Sequence, residues 1–547
     1  MNLPLLTLLA VLPAVGALVL AFAGVRAAKQ IALVFSLLTL ALAVWVASGY
    51  SPGGGMQYVE QASWIRPLGA YYALGVDGIG LTLVLLVVLV TPVVILASWR
   101  DFDGPGSAGE ATPLTPRAVT GTPAGGGATA LTPRAVTAAR EDALAPKYDS
   151  RVFFALVLAV ETSALFLFLA TDVFLFYVFF EVILIPMYFL IGGFGPTARR
   201  SYAAAKFLIF GLLGGFVMLA SVIGLYVLSA ADGTPSYLLS DLSQLDIGTV
   251  TGRWLFLGFM FAFAIKAPLV PLHTWLPDAA EESSPGGATM MVGVMDKIGT
   301  FGMIRFCLGL FPEASQWATP VVLVLATVSI IYGAVLAIGS RDLMRFIAYT
   351  SISHFGFIVL GIFALTTQSL AGSTLYMLNH GLSTAALFIA AGYLIKRGGS
   401  RDIQAYGGVQ KVAPVLAGLM LFAGLSTLSL PGLSSFVSEF MVLAGTFSRY
   451  PVYAMVSTLA IVLAALYILI AYQRTMTGPL APQLEAERIT DLGGRERLAM
   501  APLVLLIIVL GVFPRPMLDV INPAVQATMS YVGVTDPAPR VTAEGGR

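Results

Sequence analysis

Long apolar runs, each about 20 residues and parted by short polar breaks, recur along almost the whole chain. A helix rises about 1.5 Å per residue, so about 20 such residues cover the ~30 Å hydrocarbon layer of a bilayer. The pattern predicts about fourteen spanning helices, near 3–24, 30–49, 78–98, 152–170, 173–192, 204–230, 254–274, 286–311, 318–339, 343–366, 369–395, 412–445, 451–473 and 499–517. Only Thr171 and Asp172 part the fourth from the fifth. The first run lacks a basic leader and is too long for a cleaved signal, so it reads as a span. Two runs are interrupted. Pro268 and Pro271 break the seventh just after Lys266, and Leu430-Pro431-Gly432 breaks the twelfth before Glu439.

The expected class is therefore an all-α polytopic membrane protein. Its broken helices 7 and 12 occupy matching places in two five-helix units, helices 4–8 (151–311) and helices 9–13 (312–475). An odd number of helices per unit inverts the second copy, and paired interrupted helices mark the site of an inverted-repeat transporter. Helices 1–3 fill 1–100, and 476–547 supply an inside loop, helix 14 and an outside tail. Residues 101–150 differ in kind. They are rich in Gly, Ala, Pro and Thr and repeat LTPRAVT at 114–120 and 131–137, which predicts a disordered inside loop. With the N-terminus outside, the inside loops carry 20 Lys and Arg against 6 outside, so both termini are expected outside.

Composition narrows the chemistry. The chain is 58% hydrophobic and 11% charged, against about 25% charged for a soluble domain. A net charge of +1 leaves no basic face for nucleic acid. The single cysteine, Cys307, excludes an internal disulfide and an iron–sulfur cluster held by this chain alone, which takes about four cysteines. No glycine-rich nucleotide loop follows a predicted strand. No cofactor or metal is expected in the chain itself.

The informative residues are the charges inside the spans: Glu161, Glu181, Lys206, Lys266, Asp296, Lys297, His354, His380 and Glu439, with His273 and Asp278 just after the first break. Each charge at the bilayer centre costs about 2.5–3.5 kcal/mol on insertion scales. One alone reads as a polar group that joins two helices. Nine spread over both halves read as a chain of protonatable sites. Lysine and glutamate are both present at depth, so each can hold the other ionised. Asp296 and Lys297 are adjacent and point to different sides of helix 8, which makes Lys297 the path candidate and Asp296 its local counter-charge. Lys206 opens helix 6 and reads equally as a snorkelling side chain. Glu161 and Arg305 read as structural. A haem held by His354 and His380 is a further alternative.

KAPLVPLHTWLPDAAEESSP at 266–285, RDLMRFIAYTSISHFGF at 341–357 and YMLNHGLSTAALF at 376–388 together resemble the antiporter-like subunits of respiratory complex I, the proton-translocating NADH–quinone oxidoreductase. The resemblance covers nearly the whole chain. A glutamate at 439, within SLPGLSSFVSEFM, matches the M type rather than the L and N types, which carry lysine there, and no long lateral helix follows helix 14. The resemblance implies that Glu181 pairs with Lys266, that Lys297 passes protons towards the membrane centre, and that His354 and His380 continue the path to Glu439. It also matches Lys206, and it places His273 and Asp278 at the inside entry or in helix termination. The implied activity is outward proton pumping in a bacterial cell membrane. It is driven by partner subunits that carry FMN and iron–sulfur clusters and use a quinone. The implied partners are the L and N types and small membrane subunits. The alternative is a subunit of a multi-subunit sodium/proton antiporter, which shares the fold and the Lys266 motif.

Overall fold

The computed structural model describes residues 4–102, 146–233, 235–482, 484 and 489–538. The expected insert at 101–150, with both LTPRAVT copies, lies outside them except at its two ends. The helices are α1 (Leu5–Phe22), α2 (Val25–Ser48), α3 (Gly78–Ala97), α4 (Ser150–Leu169), α5 (Val173–Val182), α6 (Leu184–Phe194), α7 (Arg200–Ala231), α8 (Thr249–Lys266) and α9 (Trp275–Glu281). A helical run over residues 285–308 forms α10. After it come α11 (Pro312–Gly339), α12 (Leu343–Phe363), α13 (Thr367–Gly398), α14 (Pro414–Thr427), α15 (Ser434–Arg449), α16 (Pro451–Met476), α17 (Gly494–Val512) and α18 (Arg515–Val532).

Among the described residues ten helices are long and apolar enough to cross a membrane, or eleven if α17 and α18, bent by 71°, form one span. The difference from fourteen has a physical origin. Expected spans 7 and 12 are each broken into two helices, α8 with α9 and α14 with α15, and α8 carries Arg253 and Lys266. Expected span 8 is α10, where π-helical stretches at Thr289–Met295 and Met303–Leu308 alternate with α turns. Expected span 14, α17, begins with Arg495, Glu496 and Arg497.

Two elements have no counterpart in the hydrophobic pattern. An antiparallel hairpin, β1 (Gln57–Ile65) and β2 (Ala70–Val76), joins α2 to α3. Its Glu60 carboxylate caps the start of α1, accepting from Leu6 N at 2.7 Å and Thr7 N at 3.0 Å. The expected outside tail contains α18, which packs against α3 and α13.

The first break is held as carefully as a helix end in lipid requires, because open carbonyls there have no water to meet. Trp275 Nε1 donates to Ile265 O at 3.0 Å, Leu269 N donates to Ala264 O at 3.0 Å, and Val270 N donates to Ser329 Oγ of α11 at 2.9 Å. In the second break Ser429 takes a left-handed backbone, φ +61°. Leu430 N then returns to Leu425 O at 3.0 Å. A non-glycine residue persists there only when its surroundings hold it.

Arg305, on the second π stretch of α10, pairs with Asp77 at 2.7 Å; Asp77 also accepts from Gly80 N at 2.8 Å and so caps α3. Both side chains are mostly buried, 17% and 12% exposed. Arg305→Met leaves the Asp77 charge buried and alone, which is expected to cost about 3–5 kcal/mol. Thermal unfolding of the detergent-solubilised protein would reveal it, and an unchanged melting temperature would remove the pair from the stability account.

Candidate functional site

Glu181 is the penultimate residue of α5, just before the chain bends into α6 at Ile183. Its carboxylate points at α7, and only glycine fits opposite: a Cβ on Gly215 would lie 1.4 Å from Glu181 Oε1. The neighbouring Gly214 lets α8 approach, since its Cβ would meet Ala262 Cα at 3.2 Å. Lys266 is the last residue of α8 and is 2% exposed. Its ammonium lies 4.7 Å from the centre of the Phe180 ring, within electrostatic reach of Glu181 and Asp296. Among the described residues neither Lys266 Nζ nor either Glu181 oxygen has a hydrogen-bond partner. Charges left unpaired at this depth oppose folding. Stability does not account for them.

The second group is hydrogen-bonded at its two ends, with a contact of two imidazole rings between them. Lys297, fully buried on α10, donates to Val292 O at 2.5 Å and meets His380 Nδ1 of α13 at 2.8 Å. The π register makes this possible. Asp296 N reaches back five residues to Met291 O, and Val292 O is left for the lysine. The His380 and His354 rings stand 5.4 Å apart, centre to centre. His354 Nδ1 meets Tyr376 OH at 2.7 Å, and Tyr376 donates to Glu439 Oε2 at 2.8 Å. A phenol has one proton, so with that proton on Glu439 the His354 nitrogen is the donor to Tyr376. Ser429, in the break that precedes α15, also donates to Glu439 Oε2. Lys297, His380, His354, Tyr376 and Glu439 thus line up across α10, α13, α12 and α15.

Lys206 and Asp278 are brought together, but away from that line. Lys206 Nζ pairs with Asp278 Oδ2 at 2.7 Å and donates to Thr274 O at 2.8 Å. Arg345 of α12 takes the other Asp278 oxygen and pairs with Glu281 at 2.8 Å. The cluster fastens α9 to α7 and α12. His273 lies edge-on to Tyr332 of α11 at 5.2 Å, and its Nδ1 has no partner.

Three members escape a reading by charge and hydropathy. Tyr376 and Ser429 complete the Glu439 site, and Gly215 makes room for Glu181. A tyrosine counts as core in an apolar run. The available signal is its position one turn before His380, which puts both on one helix face. Ser429 stands beside the Pro431-Gly432 break, and Gly215 belongs to a Gly-Gly pair inside an apolar span.

Residues 170–465 match the family model described as NADH:quinone oxidoreductase/Mrp antiporter, transmembrane. NADH-quinone oxidoreductase subunit M of Mycobacterium tuberculosis is 51% identical over 99% of this chain and 96% of its own length. A chain in the structure of respiratory complex I from Thermus thermophilus with bound NADH superposes with a TM-score of 0.81 at 30% identity, covering 97% of this chain and 100% of that one. A chain of the Mrp complex from a Dietzia species superposes with a TM-score of 0.76 at 20% identity, covering 97% and 100%, a likeness of fold.

Gly215→Ala places a methyl group on the Glu181 carboxylate, an overpacking expected to cost about 1–3 kcal/mol. An electron cryo-microscopy map of the variant is expected to show the carboxylate turned away from α7. A Glu181 side chain in its original place would disprove the close approach.

Proposed function

The chain belongs to the NADH-quinone oxidoreductase subunit M family, and we propose that its row of buried ionisable side chains moves protons outward. It is a proton-translocating membrane subunit of that oxidoreductase, coupled to NADH oxidation and quinone reduction in partner subunits. The observation that carries the residue-level reading is the series from Lys297 through His380, His354 and Tyr376 to Glu439, hydrogen-bonded except where the two imidazoles meet ring to ring, next to Glu181 and Lys266.

The physical cycle follows from charge and distance. A carboxylate close to an ammonium holds the proton on it, and withdrawing the carboxylate releases that proton. Movement of Glu181 towards or away from Lys266 is therefore the switch, and it requires a partner that favours one position over the other. A released proton passes from Lys266 to Lys297, then along His380, His354 and Tyr376 to Glu439. Each hop moves one proton from a donor nitrogen or oxygen to the next acceptor. Lys206 and Asp278 hold α9 in place, and His273 stands at the entry from the inside. Residues 151–311 and 312–475 act as two inverted units in which Lys266 and Glu439 correspond. Both termini lie outside, in a bacterial cell membrane, and the neighbours are antiporter-like L and N types and small membrane subunits. FMN, iron–sulfur clusters and the quinone site belong to other subunits.

The test compares wild type with Lys266→Ala in inverted membrane vesicles, following NADH-driven lumen acidification beside NADH consumption. Loss of acidification in an assembled complex is expected. Unchanged pumping would defeat the reading and turn attention to sodium-dependent proton exchange in the same vesicles. Tyr376→Phe removes a single oxygen from the series and is expected to slow initial acidification by roughly 10²-fold, the scale of a lost proton-transfer partner.

A further inference from the structure

Asp296 is fully buried, and among the described residues neither of its oxygens has a hydrogen-bond partner. A carboxyl group in that state stays ionised only when a cation lies close by. It lies between the first π stretch of α10 and the α turn Lys297–Gly302. Lys297, its neighbour in sequence, turns towards His380 on α13. Adjacent residues on a helix face different ways, whereas residues three apart share a side. Gly299, three residues after Asp296, marks what that side touches: a Cβ there would lie 2.6 Å from Ala267 N and 2.7 Å from Phe263 O. Asp296 therefore shares the side of α10 that packs against the broken end of α8, where Lys266 stands.

The charges in this region are few. Lys266 stands within electrostatic reach of two carboxyl groups, Glu181 and Asp296, and Lys297 within reach of Asp296. The elements packed against this part of α10 bring Glu161 from α4, Lys266 from α8 and His380 from α13, while Gly78–Ala97 of α3 carries no titratable residue.

We infer that Asp296 is the shared counter-ion of Lys266 and Lys297, a positioning residue that ties the proton held by one lysine to the proton held by the other. The inference rests on the proton-moving reading and deepens it. With Glu181 close, two carboxylates face two ammonium groups. When Glu181 withdraws, one carboxylate serves both, and one lysine must give up its proton. Lys297 has a ready acceptor: its ammonium passes a proton to His380 Nδ1, leaving a neutral amine and an imidazolium. The vacated Lys297 then takes the proton of Lys266, with Asp296 compensating the charge at both positions.

The experiment is a pH profile of NADH-driven acidification, normalised to NADH consumption, in inverted vesicles carrying wild type, Asp296→Asn or Asp296→Glu complexes. Without the carboxylate both lysines hold their protons less firmly. The alkaline limb of the Asp296→Asn profile is therefore expected at lower pH by about one unit or more, the usual effect of one nearby opposite charge. Asp296→Glu keeps the charge and is expected to keep the limb near wild type. Asp296→Ser is read in the same way should the amide variant not assemble. A profile that overlays wild type in the Asn or Ser variant overturns the inference while leaving the proton-moving reading intact, because that reading fails only if Lys266→Ala still pumps. Loss of assembly in both uncharged variants with normal assembly of the Glu variant would make Asp296 a folding determinant and also overturn it.

Discussion

The cost of a charge in hydrocarbon, about 2.5–3.5 kcal/mol on insertion scales, governs how this chain is built. Every ionisable side chain at depth has to be met by another charge, by a backbone dipole or by an aromatic face. Beside the hydrogen-bonded groups from Lys297 to Glu439, two further arrangements occur, and they differ in how far they tie a charge down. Arg305 with Asp77, and Lys206 with Asp278 and Arg345, are closed ion pairs at 2.7 Å or less, set where helices begin or end. Among the described residues Glu181, Lys266 and Asp296 find no hydrogen bond for their charged atoms, and neither does Glu161. Closed pairs hold helices in place. Open ones retain charges free to respond when a neighbour moves.

Irregular backbone is the means by which the open charges are presented. In a straight α-helix each interior carbonyl already accepts from the N–H four residues on, and an interruption of that ladder leaves carbonyls to be met in other ways. The break after Lys266 ends α8 inside the protein and lets Trp275, Leu269 and Val270 secure the loose backbone. The π stretch of α10 leaves Val292 O to receive Lys297. The left-handed residue before α15 turns Ser429 onto Glu439. Such departures in a membrane are tolerated only where protein encloses them, and here each one lies against the line of ionisable groups.

The two halves meet at α10. It packs against α8 near the first break and against α13 at His380, so Asp296 and Lys297, adjacent in the chain, serve different neighbours. Asp296 read from the sequence is a local counter-charge for Lys297. Its burial without hydrogen bonds and its position over the end of α8 give it Lys266 as well.

What the sequence determined by itself is one-dimensional: where apolar runs cross the bilayer, where proline and glycine break them, and which of the rare charges lie inside. Hydrophobicity and helix breaking act on the local chain, so Lys266, Lys297, His354, His380, Glu181 and Glu439 were all legible in it. Length and hydropathy of the described helices give ten or eleven spans beside the expected fourteen, because the helices that carry the site are those whose apolar pattern is interrupted. Partnership was decided only by the tertiary structure. Tyr376 reaches Glu439 across 63 residues, Lys206 reaches Asp278 across 72, and Gly215 gives way to Glu181 from another helix. Such contacts depend on how helices rotate and approach one another, and that is set by packing of the whole bundle rather than by any local pattern of residues.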